Sequence, residues 1–125
     1  MEKIESQEAP KVVGPYSQAV LSKGFVFVSG QLPIDAKTGA LMEGSIGTKT
    51  HKVIDYLEAI LIKAGSHLHK VVRVDIFLTD LKQFAEVNQV YSERFNGPIL
   101  PARQTIQVAA VPLGSVIEIS CIAEL

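Results

Sequence analysis

The sequence is poor in the residues that mark several large classes of protein. Its 125 residues include one cysteine, Cys121, and no tryptophan. A single cysteine excludes an intrachain disulfide and any zinc site built from the cysteines of one chain. Residues 1–6 contain no apolar signal segment, and no apolar run approaches the roughly 18 residues of a membrane span. We therefore expect a cytoplasmic protein with no membrane partner.

Net charge is also small. The chain has 12 Lys and Arg against 13 Asp and Glu, a formal net charge of −1. Because proteins that bind nucleic acids carry a basic patch or stripe, we expect no nucleic-acid partner. The mean hydropathy is +0.25, which is high for a domain with so much surface per unit volume. This value indicates that part of the apolar content lies in interfaces between subunits.

Hydrophobic periodicity predicts a single α+β domain over residues 1–125. All six prolines fall between the periodic segments, so they do not separate two domains. Period-two or β-branched segments predict strands over 18–23, 25–30, 72–79, 104–111 and 116–125. Apolar residues at helical spacing predict one helix ending before Gly65, capped by Ser45 or Thr48, and a second from Asp80 to about Phe95. The order β-β-α-β-α-β-β predicts two helices packed on one face of a mixed sheet.

The other face of this sheet has mixed polarity. Val72, Val74, Ile76 and Leu78 are expected on the helix-covered face of one strand, so Arg73, Asp75 and Phe77 face the other way. The last strand adds Glu118, Ser120 and Ile122 to that second face. A partly apolar sheet face in so small a domain is typical of an oligomer contact.

The three arginines lie in different settings. Arg73 shares a strand face with Asp75, which favours an ion pair, and Arg94 lies among polar residues where a solvated cation is expected. Arg103 follows Pro101 at the entry to a strand, where a stiff backbone suits a guanidinium that grips a carboxylate. A surface salt bridge is the alternative for Arg103.

Glu118 interrupts an apolar strand. It is either a buried acid, which needs a partner or becomes a general base with a raised pKa, or a polar residue on a solvated face. Tyr16 follows a constrained Gly-Pro pair, and Ser29 and Gly30 end an apolar strand, so these residues are further candidates for ligand contacts. Other reactive side chains have simpler interpretations: His67 and His69 as surface residues, Cys121 as a buried small hydrophobe, and Tyr91 and Phe95 as core.

Four segments together indicate a family. GPYSQA at 14–19, SGQLP at 29–33, VNQVY at 87–91 and PAR at 101–103 occur in order, with Glu118 following. The chain from about residue 4 to residue 123 resembles the RidA family, also called the YjgF family, of enamine and imine deaminases. The resemblance implies a chorismate-mutase-like fold, a barrel-like homotrimer and sites between subunits. It also implies hydrolysis of enamines and imines, such as 2-aminoacrylate, to a 2-keto acid and ammonia without a metal or organic cofactor.

The resemblance also implies roles for particular residues. Arg103 would bind the substrate carboxylate, and Glu118 would position or activate the attacking water. The main-chain carbonyl of Thr105 would accept a hydrogen bond from the substrate nitrogen. Many family members have cysteine at this position, but a backbone contact tolerates the change. The remaining pocket residues would be Tyr16, Ser29, Gly30 and Asn88.

Two other functions remain open at the level of sequence. The same pocket would serve a non-catalytic binder of 2-keto or amino acids that senses a metabolite or regulates a partner. Some relatives carry the names ribonuclease or translation inhibitor, but the net charge of −1 counts against RNA as a partner. Glu118 favours a deaminase acting on 2-iminobutanoate and 2-iminopropanoate, since a protein that only binds a metabolite needs no base.

Overall fold

The computed structural model describes all 125 residues as one six-stranded sheet covered by two helices. The strands are β1 (Glu2–Ile4), β2 (Ala19–Ser22), β3 (Phe25–Gln31), β4 (Val71–Leu78), β5 (Ala102–Gln107) and β6 (Ile117–Glu124), and the helices are α1 (Ile46–Ala64) and α2 (Phe84–Arg94). Their order in the sheet is β1-β2-β3-β6-β4-β5, and only the β4–β5 pair is parallel. The predicted α+β class with a mixed sheet is confirmed. The structure adds β1, whose three residues are too few to show a period.

Local sequence signals define both ends of α1. Ser45 is the N-cap and accepts a hydrogen bond from the Thr48 amide, so Ser45 rather than Thr48 caps the helix. Gly65 follows the last turn with φ at 90°, and its N–H satisfies the carbonyl of Ile62. One stripe of α1 is buried against the sheet and includes Val53, Ile54, Leu57, Ile60 and Leu61.

The second helix begins later than predicted and is fixed to the first. The Asp80 carboxylate accepts from the Lys82 amide and caps a short 3₁₀ turn over 81–83, after which α2 starts. Arg94 was predicted to be solvated, and this prediction is wrong. Its side chain is only 18% exposed because it extends to α1, where its nitrogens lie 2.8 Å from Asp55 Oδ1 and 3.6 Å from Glu58 Oε1.

The two faces of the sheet differ as the alternation predicts, with one exception. Val74, Ile76 and Leu78 of β4 are fully buried beneath the helices, whereas the residues between them are half-buried on the other face. Val72 was expected on the buried face. Pairing with β6 shifts between Val71 and Arg73, which is a β-bulge. The bulge buries Val71 instead and leaves Val72 37% exposed.

A single core of 25 buried hydrophobic residues lies between the helices and the sheet. The opposite sheet face leaves two large aromatic side chains exposed, Phe25 and Phe27, together with Ile106 at the sheet edge. Neither helix is long and apolar enough to cross a membrane.

Candidate active site

Two cavities collect all but one of the residues predicted to form the site, and Asn88 lines neither of them. The larger, of about 830 Å³, lies where β3 and β6 meet the loops at 10–16, 34–39 and 112–113. Tyr16, Ser29, Gly30 and Glu118 line it, and we call these four residues the Glu118 half-site. The smaller, of about 380 Å³, is lined by Leu81, Phe84, Arg103 and Thr105.

Gly30 allows the Glu118 side chain to lie directly on the backbone of β3. A Cβ atom on Gly30 would meet the Glu118 carboxyl group, with Cδ at 2.6 Å and Cγ at 2.9 Å, so no larger residue fits without moving the acid. The register between β3 and β6 shifts between Val28 and Gln31, which places Gly30 in a bulge. Bulges commonly re-aim side chains beside functional sites. Gly30 is therefore needed for close approach and not for a left-handed turn.

The carboxyl group of Glu118 lies in a desolvated setting. Burial is the cause that raises its pKa above the ordinary value of 4.5. No ion pair in the chain includes Glu118. A carboxylate in this setting takes up a proton more readily than a solvated one does. Of the interpretations left open by the sequence, the structure favours the acid without a charged partner, and Glu118 is half-buried and not fully buried.

Ser29 and Tyr16 are held beside Glu118 by backbone contacts. The Ser29 hydroxyl donates to the carbonyl of Ser17 at 2.6 Å, and the Ser29 amide donates to the carbonyl of Gln18 at 2.9 Å. Gly14 has φ at 139°, and the Tyr16 amide donates back to its carbonyl at 3.0 Å. This tight turn presents the Tyr16 ring, 55% exposed, to the mouth of the larger cavity.

Arg103 is held by three side chains of α2. Its Nη1 donates to Asn88 Oδ1 at 2.6 Å. The guanidinium carbon lies 4.6 Å from the centroid of the Tyr91 ring and 5.5 Å from that of Phe84. Thr105 follows on the same face of β5, and its hydroxyl oxygen is buried without a hydrogen-bond partner. We call Asn88, Arg103 and Thr105 the Arg103 half-site.

The two half-sites lie on opposite faces of the sheet. Arg103 pairs with Val74, which is buried beneath the helices, so the Arg103 side chain is on the helix-covered face. Glu118 pairs with Phe77, whose neighbours Ile76 and Leu78 are the buried residues of β4, so Glu118 is on the other face. Paired strand residues share a face, and successive residues alternate. One chain therefore cannot bring Arg103 and Glu118 to the same small molecule.

Three other sequence predictions concern reactive side chains outside the half-sites. Arg73 pairs with Asp75 at 2.9 Å, which confirms the predicted ion pair. His67 and His69 are exposed, and no group of three or more His, Cys, Asp or Glu side chains is arranged to hold a metal ion. Cys121 is buried, and burial raises its pKa to about 12, so its thiol is inert at neutral pH.

Sequence reasoning missed the aromatic rings beside Arg103. Tyr91 was assigned to the core, and it is buried and stacked on Phe95 at 4.5 Å. The Tyr91 ring also makes a cation–π contact with the guanidinium of Arg103. Phe84, Asn88 and Tyr91 occur at i, i+4 and i+7, a spacing that places all three on one face of a helix. The sequence shows this spacing, but it does not show that β5, which carries Arg103, packs against this helix face.

Comparison with known proteins identifies the family. A sequence model of the family described as Endoribonuclease L-PSP matches residues 6–125. A relative in Arabidopsis thaliana named Reactive Intermediate Deaminase A, chloroplastic, is 41% identical over 124 residues, covering 99% of this chain and 66% of the relative. The chain belongs to the RidA family. A RutC family protein of Pyrococcus abyssi is 46% identical over 122 residues, covering 98% of this chain and 95% of the relative.

A solved member of the RidA family has the same fold. The crystal structure of RidA from the Antarctic bacterium Psychrobacter sp. superimposes with a TM-score of 0.94 at 40% sequence identity, and all of both chains is covered. The family resemblance predicted from the four sequence segments is therefore confirmed over the whole chain.

Proposed function

We propose that this RidA-family protein hydrolyses 2-imino acids, among them those derived from 2-aminoacrylate, at sites that combine two subunits of a homotrimer. One subunit would supply the Glu118 half-site and its neighbour the Arg103 half-site. The observation that carries the proposal is the division of the predicted site between opposite faces of one sheet. Each half-site holds one of the two functions that the reaction needs, a cation for the carboxylate and a base for the water.

The Arg103 half-site suits a planar carboxylate. Asn88 occupies one N–H of the guanidinium, which leaves other N–H groups free to donate two parallel hydrogen bonds to a ligand. Charge-assisted hydrogen bonds of this kind contribute about 1.5–3 kcal/mol each. The carbonyl of Thr105 would accept from the substrate nitrogen and so favour the protonated imine, which is the better electrophile.

The Glu118 half-site suits proton transfer. A water oxygen would form a bond to the imine carbon while the carboxylate of Glu118 takes one of its protons. Returning that proton to nitrogen makes ammonia the leaving group. As the carbon–nitrogen bond breaks, the hydroxyl proton of the intermediate passes to Glu118, which leaves the 2-keto acid and ammonia, and ammonia then takes that proton as ammonium. Positioned acid–base groups contribute on the order of 10²–10⁴-fold. Imines hydrolyse readily in water, so this factor suffices without a covalent nucleophile or a cofactor.

We also propose a cytoplasmic location, in line with a single cysteine that forms no disulfide. The Arabidopsis relative named as a deaminase supports the reaction class. The choice among imino acids is our own proposal.

A coupled assay tests the activity. A serine or threonine dehydratase supplies 2-aminoacrylate or its homologue, and the protein competes with semicarbazide for the imine. We expect faster release of the 2-keto acid with the wild type than with Arg103→Ala, by about 10²-fold as the charged contact is lost. Lys63→Ala is the control because Lys63 is an exposed cation of α1, away from both half-sites and from the uncovered sheet face. Binding of 2-oxobutanoate, the 2-keto acid formed from 2-iminobutanoate, without hydrolysis of the imine would instead favour the non-catalytic binder.

Mixing two inactive variants tests the shared site. Arg103→Ala and Glu118→Gln subunits carry different tags, are co-expressed, and are purified on both tags in turn. In a head-to-tail ring of three subunits, every mixed ring has one junction of three that combines an intact Arg103 with an intact Glu118, so we expect about one third of wild-type activity. Co-expression of Arg103→Ala with the double variant is the control and should stay inactive. No recovery in the first mixture would contradict a site between subunits, and so would a monomeric mass by light scattering.

Ribonuclease activity is the second candidate because the matching family model carries that description. The net charge of −1 opposes it, since phosphate contacts need a basic surface. Cleavage of RNA that is lost in Arg103→Ala and weakened by salt would establish this second activity.

A further inference from the structure

The Arg103 guanidinium lies on two aromatic rings of α2, which we call the aromatic shelf (Phe84 and Tyr91). The distances from the guanidinium carbon to the ring centroids, 5.5 and 4.6 Å, are within the range of cation–π attraction. Arg103 is otherwise an exposed residue near the start of an edge strand. A long arginine side chain in that position samples many rotamers unless other groups hold it.

We propose that the aromatic shelf positions Arg103 for its ligand, so that Phe84 and Tyr91 are positioning residues of the proposed site. The consequence for catalysis rests on the proposed function, whereas the shelf itself can be tested without any substrate. The rings constrain the plane of the guanidinium, and the 2.6 Å hydrogen bond to Asn88 fixes its rotation within that plane. Together they leave the free N–H groups aimed in one direction before a ligand arrives.

The ring of Tyr91, and not its hydroxyl, carries this role. The hydroxyl is buried and has no hydrogen-bond partner in the chain. Burial also raises its pKa to about 12, so the phenol is neutral and adds no charge beside the guanidinium. Tyr91→Phe therefore keeps the shelf intact, whereas Tyr91→Leu removes half of it. These two variants separate the ring from the hydroxyl.

The ring current of the shelf gives a signature that needs no substrate. The Nε–Hε proton of Arg103, assigned by NMR from its loss in Arg103→Lys, should resonate upfield of a solvated arginine. We expect the upfield shift to persist in Tyr91→Phe, to shrink in Phe84→Leu and to shrink most in Tyr91→Leu. Phe84 is only partly buried, so its variant keeps the test valid if Tyr91→Leu does not fold. A resonance at the solvated position in the wild type would overturn the proposal.

Kinetics test whether the shelf matters for the ligand. Loss of one cation–π contact should raise KM, and the Kd for 2-oxobutanoate, by about threefold to tenfold, with the effect on KM and not on kcat. Phe95→Leu is the matched control, because Phe95 stacks on Tyr91 from within the core but makes no cation–π contact with Arg103. An equal rise in KM in Phe95→Leu would show a general packing effect and overturn the positioning role.

These outcomes are separable from failure of the proposed function. If the protein does not hydrolyse imines, the ring-current shift and the binding of 2-oxobutanoate still test the shelf. If imines are hydrolysed but Tyr91→Leu leaves both KM and the Arg103 resonance unchanged, the shelf is wrong and the reaction stands.

Discussion

The two half-sites handle charge in opposite ways. Arg103 meets a hydrogen-bond acceptor at its edge and two aromatic rings at its face, all of which stabilise a cation. Glu118 lies on the bare backbone of Gly30, where burial raises its pKa and no cation compensates. The contacts of Arg103 thus favour a cation held in place, whereas the setting of Glu118 favours uptake of a proton. This contrast is what a binding group and a general base require, respectively.

The largest effect should follow from removing the base while keeping its shape. Glu118→Gln should lower kcat for the dehydratase-supplied imine by about 10²–10⁴-fold, since the amide cannot accept a proton from water. The Kd for 2-oxobutanoate should stay near the wild-type value because Arg103 is untouched. Glu124→Gln is the control, an exposed residue at the end of the same strand. If Glu118→Gln raised the Kd and left kcat unchanged, Glu118 would belong with the binding groups, and the contrast between the half-sites would fail.

A smaller effect should follow from displacing Glu118 without changing its chemistry. In Gly30→Ala the added Cβ would overlap the carboxyl group, so Glu118 must move away from β3. We expect kcat to fall by about tenfold to 10²-fold, since misplacing a reacting group by about 1 Å can cost 10²-fold. The same substitution in the Glu118→Gln background provides the control. There it should cost little further activity, because the two residues act through one contact. Equal losses in both backgrounds would mean that Gly30 acts independently of Glu118.

Much of the fold could be predicted because each element carries a local signal. Ser45 and Gly65 bound α1 by capping chemistry, and the alternation in β4 and β6 identifies the buried face. The predictions failed where contacts between residues far apart in the sequence decide the position of a side chain. Val72 was placed on the wrong face because its bulge depends on pairing with β6. Arg94 was assigned to solvent because its acidic partners lie on another helix.

The candidate site was predictable in composition but not in arrangement. The motifs identify Arg103 and Glu118, yet only the strand register shows that they face opposite sides of the sheet. The sequence also does not show why Gly30 is needed, because the side chain that lies against it is that of Glu118, 88 positions further along the chain. A contact between residues so far apart leaves no period or spacing for a single sequence to display. The sequence spacing places Phe84 and Tyr91 of the aromatic shelf on one helix face, but it does not show that Arg103 lies against them.

The smallest predicted effect concerns stability. Because the folded state raises the pKa of Glu118, it binds that proton more tightly than the unfolded chain does. The contribution of Glu118 to folding is therefore lost as pH rises through the raised pKa. Glu118→Gln, which resembles the protonated acid, should melt above the wild type at pH 8, and the difference should shrink toward zero below pH 4.5.

Calorimetry at fixed protein concentration measures this difference, with Glu124→Gln as the exposed control. A Glu118→Gln protein that is inactive and more stable than the wild type would show that Glu118 serves activity although it lowers the stability of the fold. A Glu118→Gln protein that melts below the wild type at pH 8 would mean that the carboxylate is stabilised in the assembled protein. That outcome would contradict the desolvated setting from which the raised pKa of Glu118 follows.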